Sequence, residues 1–177
     1  MSATLELADW LNVSDRTLRR AVSRGLLRGS RSSPNKLEIS AAERAYARQR
    51  WAVLQALVRA LRTEPGVQAA VLYGSVAKGL DRADSDIDLA IELHPGAVTS
   101  MPALERRLGL AVGQRVHTVR IADALADGRF ALEIIDHGRP LVDRADVWSS
   151  LRHRRSSLAR QAVEQAEMRE QQVADAW

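Results

Sequence analysis

Residues 67–93 read VQAAVLYGSVAKGLDRADSDIDLAIEL, and this stretch decides the fold. Its first part, residues 67–73, is apolar except for Gln68, which is typical of a buried strand. Gly74-Ser75 follows directly and predicts a turn from this strand into a short helix. Residues 86–93 then alternate between polar and apolar side chains, which is the pattern of a second strand. The stretch therefore predicts a small sheet that is covered by helices.

The second predicted strand carries two carboxylates on one face. Asp86 and Asp88 point to the same side because side chains two residues apart on a strand share a face, whereas Ile87 and Leu89 point into the core. Two carboxylates on one rigid strand favour a hard cation that takes oxygen ligands. Mg²⁺ is the natural occupant, and it normally keeps water molecules and shares phosphate oxygens with a nucleotide.

The turn before this strand is suited to phosphate. Gly74 lets a phosphate group approach the backbone, and the start of the following helix offers free N–H groups. Ser75 adds a hydroxyl donor, and Lys78 is a further candidate for a phosphate contact or, equally, an exposed helix residue. The intervening residues 81–84 are expected to form a solvated loop. Together the turn and the carboxylate pair predict a site for a metal–triphosphate.

Both motifs, residues 72–79 and residues 85–89, resemble those of the DNA polymerase β-like nucleotidyltransferase superfamily. The resemblance is closest to the minimal nucleotidyltransferases of toxin–antitoxin systems, and it extends to residues 138–142, which are similar to the family's closing strand. It implies that Gly74 and Ser75 hold the triphosphate and that Asp86 and Asp88 hold Mg²⁺. It also implies that a nucleoside monophosphate passes to a hydroxyl with release of pyrophosphate.

The resemblance fails at the third carboxylate that such enzymes place on a later strand. The candidate strand, residues 114–119, carries His117 at that position. Losing one of three anionic ligands should weaken the metal that activates the nucleophile. A neutral imidazole can still act as a general base near pH 7. His117 is therefore a candidate catalytic residue, and the alternative is a strand residue satisfied by a neighbour. The nearby carboxylates of Asp123, Glu133 and Asp136 do not fit the position.

The first part of the chain, residues 1–45, has the pattern of a winged helix-turn-helix. Asn12-Val13 breaks a first helix, Ser14 is a good N-cap for a second, and Gly25 ends it. A turn-rich segment, residues 28–36, precedes a short strand and has basic residues like a wing. The candidate DNA-binding residues are Arg16, Arg19, Arg20, Arg24 and Arg31. The alternative is a small helical cap or protein-docking module whose arginines are merely solvated.

Composition supports this division of roles. The chain has 177 residues, 27% of them charged, and a net charge of +4. The surplus is concentrated in residues 1–50, where 10 basic residues outnumber 5 acidic ones, as expected for a module that meets a polyanion. The absence of cysteine excludes disulfides, thiolate metal sites and cysteine nucleophiles. No apolar run is long enough for a membrane span, so a cytoplasmic protein without a membrane partner is expected.

The predicted architecture is an α/β (α+β) chain whose small mixed sheet is flanked by helices. A winged helix-turn-helix at 1–45 precedes a nucleotidyltransferase domain at 46–145 and a long C-terminal helix at 146–177. Ser40 and Glu43 form a capping box that opens a connecting helix of about 22 residues. The C-terminal helix is predicted to run unbroken from residue 147 to residue 177.

The predicted function is Mg²⁺-dependent transfer of a nucleotide from an NTP to a protein or RNA hydroxyl, in a toxin–antitoxin component that also binds DNA. The expected partners are the NTP, DNA, and a cognate toxin protein or tRNA as acceptor. Two alternatives remain. One is a DNA-binding transcriptional regulator with a degenerate nucleotidyltransferase domain, and the other is an antitoxin that acts by docking alone. A small-molecule acceptor such as an aminoglycoside is less favoured, because no acidic drug-binding subdomain follows the core.

Overall fold

The structure is a computed structural model that describes residues 3–33, 36–82 and 84–174. The helices are α1 (Ala3–Trp10), α2 (Asp15–Ser23), α3 (Ala41–Arg62), α4 (Gly74–Lys78), α5 (Met101–Val112), α6 (Ile121–Ala124), α7 (Gly128–His137), α8 (Val147–His153) and α9 (Arg155–Ala174). The strands are β1 (Ser30–Ser33), β2 (Lys36–Glu38), β3 (Val67–Tyr73), β4 (Ile87–Leu93), β5 (Val116–Arg120) and β6 (Arg139–Asp143).

The central sheet is mixed and has the strand order β5-β4-β3-β6. β3 pairs antiparallel with β4 and β6, and β5 runs parallel to β4. Helices α3 and α5 pack on one face, and α6 to α9 cover the other. Because both faces are covered, every residue of β3 except Gln68 is buried, which explains why the other residues of this strand are apolar. The predicted mixed sheet flanked by helices is confirmed.

The N-terminal unit consists of α1, α2 and the β1–β2 hairpin. Asn12 takes a positive φ of 53° between the helices, and the hydroxyl of Ser14 accepts the N–H of Thr17 at 3.1 Å to cap α2. Leu18 and Ala21 of α2 are buried in the interior of this unit. The hairpin is antiparallel, and its predicted tip at residues 34–35 lies outside the described residues. The predicted boundary at residue 45 falls within α3 and stays a prediction.

A buried ion pair joins this unit to the sheet. The N–H of Glu43 donates to the Ser40 hydroxyl at 3.1 Å, so half of the predicted capping box forms. The Glu43 carboxylate instead accepts both guanidinium ends of Arg139, at 2.6 and 3.0 Å. Arg139 also donates to the carbonyls of Ala77 in α4 and Leu26 in the N-terminal unit. Arg139 is 2% exposed, so one side chain connects β6, α3, α4 and the N-terminal unit in the interior.

The predicted long C-terminal helix is confirmed as α9, but this helix starts at Arg155 and not at Val147, where a separate short helix, α8, begins. The chain turns at Arg154, which caps α8, and α9 then starts at Arg155. The turn lets Leu151 of α8 lie against the sheet while Leu158 of α9 packs with α7, and both leucines are buried in the same cluster. The last predicted residues, 175–177, lie outside the described part. Among the described helices none is both long and apolar enough to cross a membrane.

Candidate active site

The site lies where β3 ends and β4 begins. The register pairs Tyr73, the last residue of β3, with Asp88. Gly74 follows with a positive φ of 72°, a conformation that glycine adopts without strain. A Cβ built on Gly74 would lie 2.5 Å from Oδ2 of Asp88. Glycine is therefore needed twice at this position, for the backbone conformation and for the space that the Asp88 carboxylate occupies.

The two predicted carboxylates differ in their surroundings. Asp86 comes directly before β4, which starts at Ile87 and not at Asp86 as predicted, and Oδ1 of Asp86 lies 3.1 Å from Nε of Arg115. The Asp88 side chain is 29% exposed. Burial raises the pKa of Asp88, the facing His117 lowers it, and the charge of Asp86 raises it. A cation bound between the two carboxylates would stabilise their charged forms against the cost of burial and would offset their mutual repulsion.

His117 lies beside Asp88. β5 runs parallel to β4 and places His117 in register with Asp88, and Nδ1 of His117 is 3.8 Å from Oδ1 of Asp88. The His117 side chain is 60% exposed, so it faces solvent as well as the carboxylate. This strand begins at Val116, two residues later than predicted. The structure thus brings Asp88 and His117 together and leaves the imidazole accessible to a second substrate.

Ser75 and Lys78 take different positions on α4. Within the described residues the Ser75 hydroxyl makes no hydrogen bond, so it is available to a ligand. Lys78 instead forms an ion pair with Glu133 of α7, with Nζ 2.5 Å from Oε1. His137 lies 3.9 Å from the other oxygen of Glu133. A phosphate contact by Lys78 would require this ion pair to open.

The loop between the two motifs is anchored, and the expectation of a solvated loop is wrong at Asp81. The Asp81 side chain is 6% exposed and forms an ion pair with Arg50 of α3 at 2.7 Å. Arg82 and Ser85 close a turn by two hydrogen bonds, in which the N–H of Arg82 donates to the Ser85 hydroxyl and the N–H of Ser85 donates to the carbonyl of Arg82. These contacts fix the approach to Asp86. The partners Arg50 and Asp81 are 31 residues apart in the chain, so no local pattern reveals that ion pair.

Tyr73 supports the floor of the site and was not predicted as part of it. Its ring packs edge-to-face on Phe130 of α7, with the centroids 5.4 Å apart. Burial and, secondarily, the charge of Asp88 raise the pKa of Tyr73 to about 12. The phenol therefore stays protonated throughout the physiological range. The only sequence signal is its position directly before Gly74.

The donor set fits a magnesium ion that is completed by substrate. Within the described ranges no cluster of three or more His, Asp or Glu side chains is arranged to hold a metal by itself. Asp86 and Asp88 supply carboxylate oxygens only, and Mg²⁺ is typically bound by one or two carboxylates together with water and phosphate oxygens. The residues present therefore fit Mg²⁺ bound together with a triphosphate.

The predicted DNA-binding residues lie on the N-terminal unit, remote in sequence from this site. Arg16 and Arg20 on α2, Arg24 at its C-cap and Arg31 on β1 are exposed. Arg19 is less exposed, and its Nε lies 2.6 Å from Oδ2 of Asp15. The structure therefore leaves four of the five arginines on the surface.

A four-stranded mixed sheet, a Gly-Ser turn after one strand and an aspartate pair at the start of the next define a nucleotidyltransferase fold. Residues 55–147 match the family described as Polymerase beta, Nucleotidyltransferase, and because this match spans more than half of the chain, the protein belongs to that family. The residues before position 55, including the N-terminal unit, lie outside the match.

Two solved structures share the fold at low identity. One, described as a toxin–antitoxin crystal structure with AMP-PNP, is 20% identical, with a TM-score of 0.52 over 70% of this chain and 97% of that one. The other, a mutant of the toxin–antitoxin MntA–HpeT, is 18% identical with the same TM-score and coverage. No curated protein matches the chain.

Proposed function

We propose that this protein transfers a nucleoside monophosphate from an NTP to a hydroxyl group of a protein or an RNA, with Mg²⁺ as cofactor. The observation that carries the proposal is the contact between Gly74 and Asp88, with His117 in register beside the carboxylate. Membership of the nucleotidyltransferase family supports it. A cognate toxin protein is the favoured acceptor, because the two similar solved structures are toxin–antitoxin proteins; a tRNA is the second.

Different residues of the chain bind the metal, bind the phosphates and accept the proton. Asp86 and Asp88 hold Mg²⁺, which neutralises charge on the phosphates when bound. Ser75 donates its free hydroxyl to a phosphate oxygen next to the open backbone at Gly74. The acceptor oxygen forms a bond to the α-phosphorus, the bond from the α-phosphorus to the bridging oxygen breaks, and pyrophosphate leaves. The proton of the acceptor hydroxyl passes to His117, whose exposed ring reaches solvent.

Label transfer tests the activity. Each α-labelled NTP is incubated with Mg²⁺, the protein and a lysate that supplies the acceptor, and the wild type is compared with Asp88→Asn. The matched control is Asp123→Asn, an equal charge change on an exposed residue of α6. We expect a labelled band with the wild type and Asp123→Asn and none with Asp88→Asn. A band of equal strength with Asp88→Asn would refute the proposed site.

His117 requires a separate test, because the metal site can work without it. Replacing His117 by Gln should lower the transfer rate about 100-fold, the scale of general base catalysis. Binding of Mg²⁺ and nucleotide should remain. The matched control is His94→Gln in the exposed loop after β4. A transfer rate equal to that of the wild type would mean that His117 takes no part in the reaction.

DNA binding by the N-terminal unit is the second proposed function. The exposed arginines of α2 and β1 favour it, because a basic surface on a helix pair followed by a hairpin is the pattern of a winged helix-turn-helix. If no NTP gives transfer, the protein is a DNA-binding regulator, or an antitoxin that acts by docking, with a degenerate site. Duplex binding with a steep salt dependence would then identify the regulator.

A further inference from the structure

A large open groove lies on the side of the sheet away from the active site. It has a volume of about 1070 Å³ and runs along β6 between the end of α2, the end of α3 and α8. β6 and β5 are the two outer strands of the four-stranded sheet. β6 lies next to β3, but the groove lining contains none of the residues of the candidate active site. The groove is therefore a separate surface.

The acidic side chains of the groove are largely used by the protein itself. The Asp136 carboxylate accepts two hydrogen bonds from Arg155, at 2.6 and 2.8 Å. The Asp143 carboxylate accepts the N–H groups of Val147 and Trp148 at the start of α8. Asp146 is the remaining acid in the lining. An arginine thus neutralises one of the three aspartates, whereas the charges of Asp143 and Asp146 face five arginines in the same lining.

Three arginines of the groove are unneutralised. Arg24, Arg62 and Arg152 line it from α2, α3 and α8, and in the described part of the chain none of the three side chains has an acidic partner. Arg144 fixes the nearby backbone by donating to carbonyl groups at the end of α3, among them that of Arg62 at 3.1 Å. The groove therefore presents an excess of positive charge on a rigid frame, which suits a polyanion.

The groove begins at the C-terminal end of α2, the helix that is proposed to contact DNA. Arg24 is both the C-cap of α2 and part of the groove lining. The next residue, Gly25, adjoins the groove wall, since a Cβ there would lie 3.3 Å from Pro140 and 3.8 Å from the Trp148 indole nitrogen. A DNA strand contacted by the exposed arginines of α2 would meet Arg24 and then Arg62 and Arg152.

We propose that the groove along β6 binds the phosphodiester backbone of the duplex DNA that the N-terminal unit contacts, so that Arg62 and Arg152 of the nucleotidyltransferase half add phosphate contacts. This inference rests on the proposed DNA binding. Such contacts carry no base specificity, and they fix how the protein is oriented on the duplex.

The test measures how affinity depends on salt. The full-length wild type, the double variant Arg62→Gln/Arg152→Gln and a control, Arg106→Gln/Arg160→Gln, are titrated into a fluorescein-labelled 40-base-pair duplex over a range of KCl concentrations. Both double variants remove two exposed positive charges, but Arg106 and Arg160 lie outside the groove. We expect the slope of log K against log salt to be smaller by about 1.8 in the groove variant alone, about 0.9 for each lost phosphate contact.

The outcomes separate this inference from the function on which it rests. Equal slopes for the two double variants, with tight binding by the wild type, would overturn the groove contact and leave DNA binding by α2 in place. Failure of the wild type to bind the duplex would overturn both. Binding of poly-L-glutamate in place of DNA, with the loss confined to the groove variant, would overturn DNA as the occupant and assign the groove to an acidic protein.

Discussion

Replacing Gly74 by Ala separates a backbone effect from a site effect. Gly74 has φ 72°, where alanine costs about 1–2 kcal/mol, and a new Cβ would lie 2.5 Å from the Asp88 carboxylate oxygen. Ordinary contact needs at least 3.4 Å, so the carboxylate must retreat by 3.4 − 2.5 = 0.9 Å. Ligand groups must stay within about 0.5 Å of their working position. Gly74→Ala should therefore fold but lose its metal site.

Gly113 supplies a matched control. Its φ is 70°, and a Cβ there would meet no atom within 4 Å, so Gly113→Ala carries the same backbone penalty without the collision. Both variants should lower the melting temperature by about 2–4 °C for each kcal/mol that the free energy of unfolding loses. Only Gly74→Ala should weaken Mg²⁺ binding, by about 10- to 100-fold as for other displaced ligands, and lose label transfer. Calorimetric titration of Mg²⁺ in the presence of a non-hydrolysable NTP measures this.

If Gly74→Ala binds Mg²⁺ as tightly as Gly113→Ala does, the new methyl group does not displace the Asp88 carboxylate. If Gly74→Ala is instead unfolded at 25 °C, the Asp88 side chain could not have yielded to the new methyl group.

Three further predictions concern single contacts. Arg139→Met leaves Glu43 buried without its partner and should lower the free energy of unfolding by about 3–5 kcal/mol, measured by urea denaturation; Glu43→Met/Arg139→Met should recover most of the loss. Asp127→Ala removes the N-cap of α7 and should lower stability by about 1 kcal/mol at pH 7. The bonds from backbone N–H groups, first that of Phe130, hold the pKa of Asp127 below its usual range, so this difference should vanish as the pH falls through that lowered pKa. Arg115→Gln should tighten Mg²⁺ binding about two- to fivefold in calorimetry without nucleotide, because the guanidinium paired with Asp86 no longer has to leave.

Each of these has a contrary result. Equal destabilisation by the single Met variant and the double variant would mean that Arg139 acts through its other bonds and not through Glu43. A loss in Asp127→Ala that persists below pH 2 would assign the effect to packing. Weaker Mg²⁺ binding in Arg115→Gln would mean that the arginine supports Asp86 and does not compete for it.

The sequence patterns predicted those elements whose form depends on residues close together in the chain. β3 spans residues 67–73 as predicted, because a strand buried on both faces is nearly all apolar, here with the half-buried Gln68 as the exception. The cap at Ser14 also formed as predicted. No helix was predicted for residues 101–112, although the buried Leu104 and Leu108 lie one helical turn apart on α5.

The site was predicted only in its two sequence motifs. Gly74, Asp86 and Asp88 follow from spacing along one hairpin. Arg115, which pairs with Asp86, lies directly before β5, and neither partner's neighbours in sequence signal the pair. Asp81 likewise looked solvated because its partner, Arg50, lies 31 residues away. The partner of a charged side chain is set by which residues lie nearby in the tertiary structure, and a short stretch of sequence does not show this.

Arg139 also bears on how the chain can be divided. The family match starts at residue 55, inside α3 and beyond Glu43, the partner of the one arginine buried at the centre of the protein. A fragment that starts at residue 55 would keep β3 and β4 but would leave the buried guanidinium without its counter-charge, and it would lack the first half of α3, whose apolar side chains belong to the shared core. The boundary of the family match is thus not the boundary of a unit that unfolds by itself. The N-terminal unit and the nucleotidyltransferase domain should unfold in a single thermal transition, and a ligand that stabilises one should slow hydrogen exchange in the other.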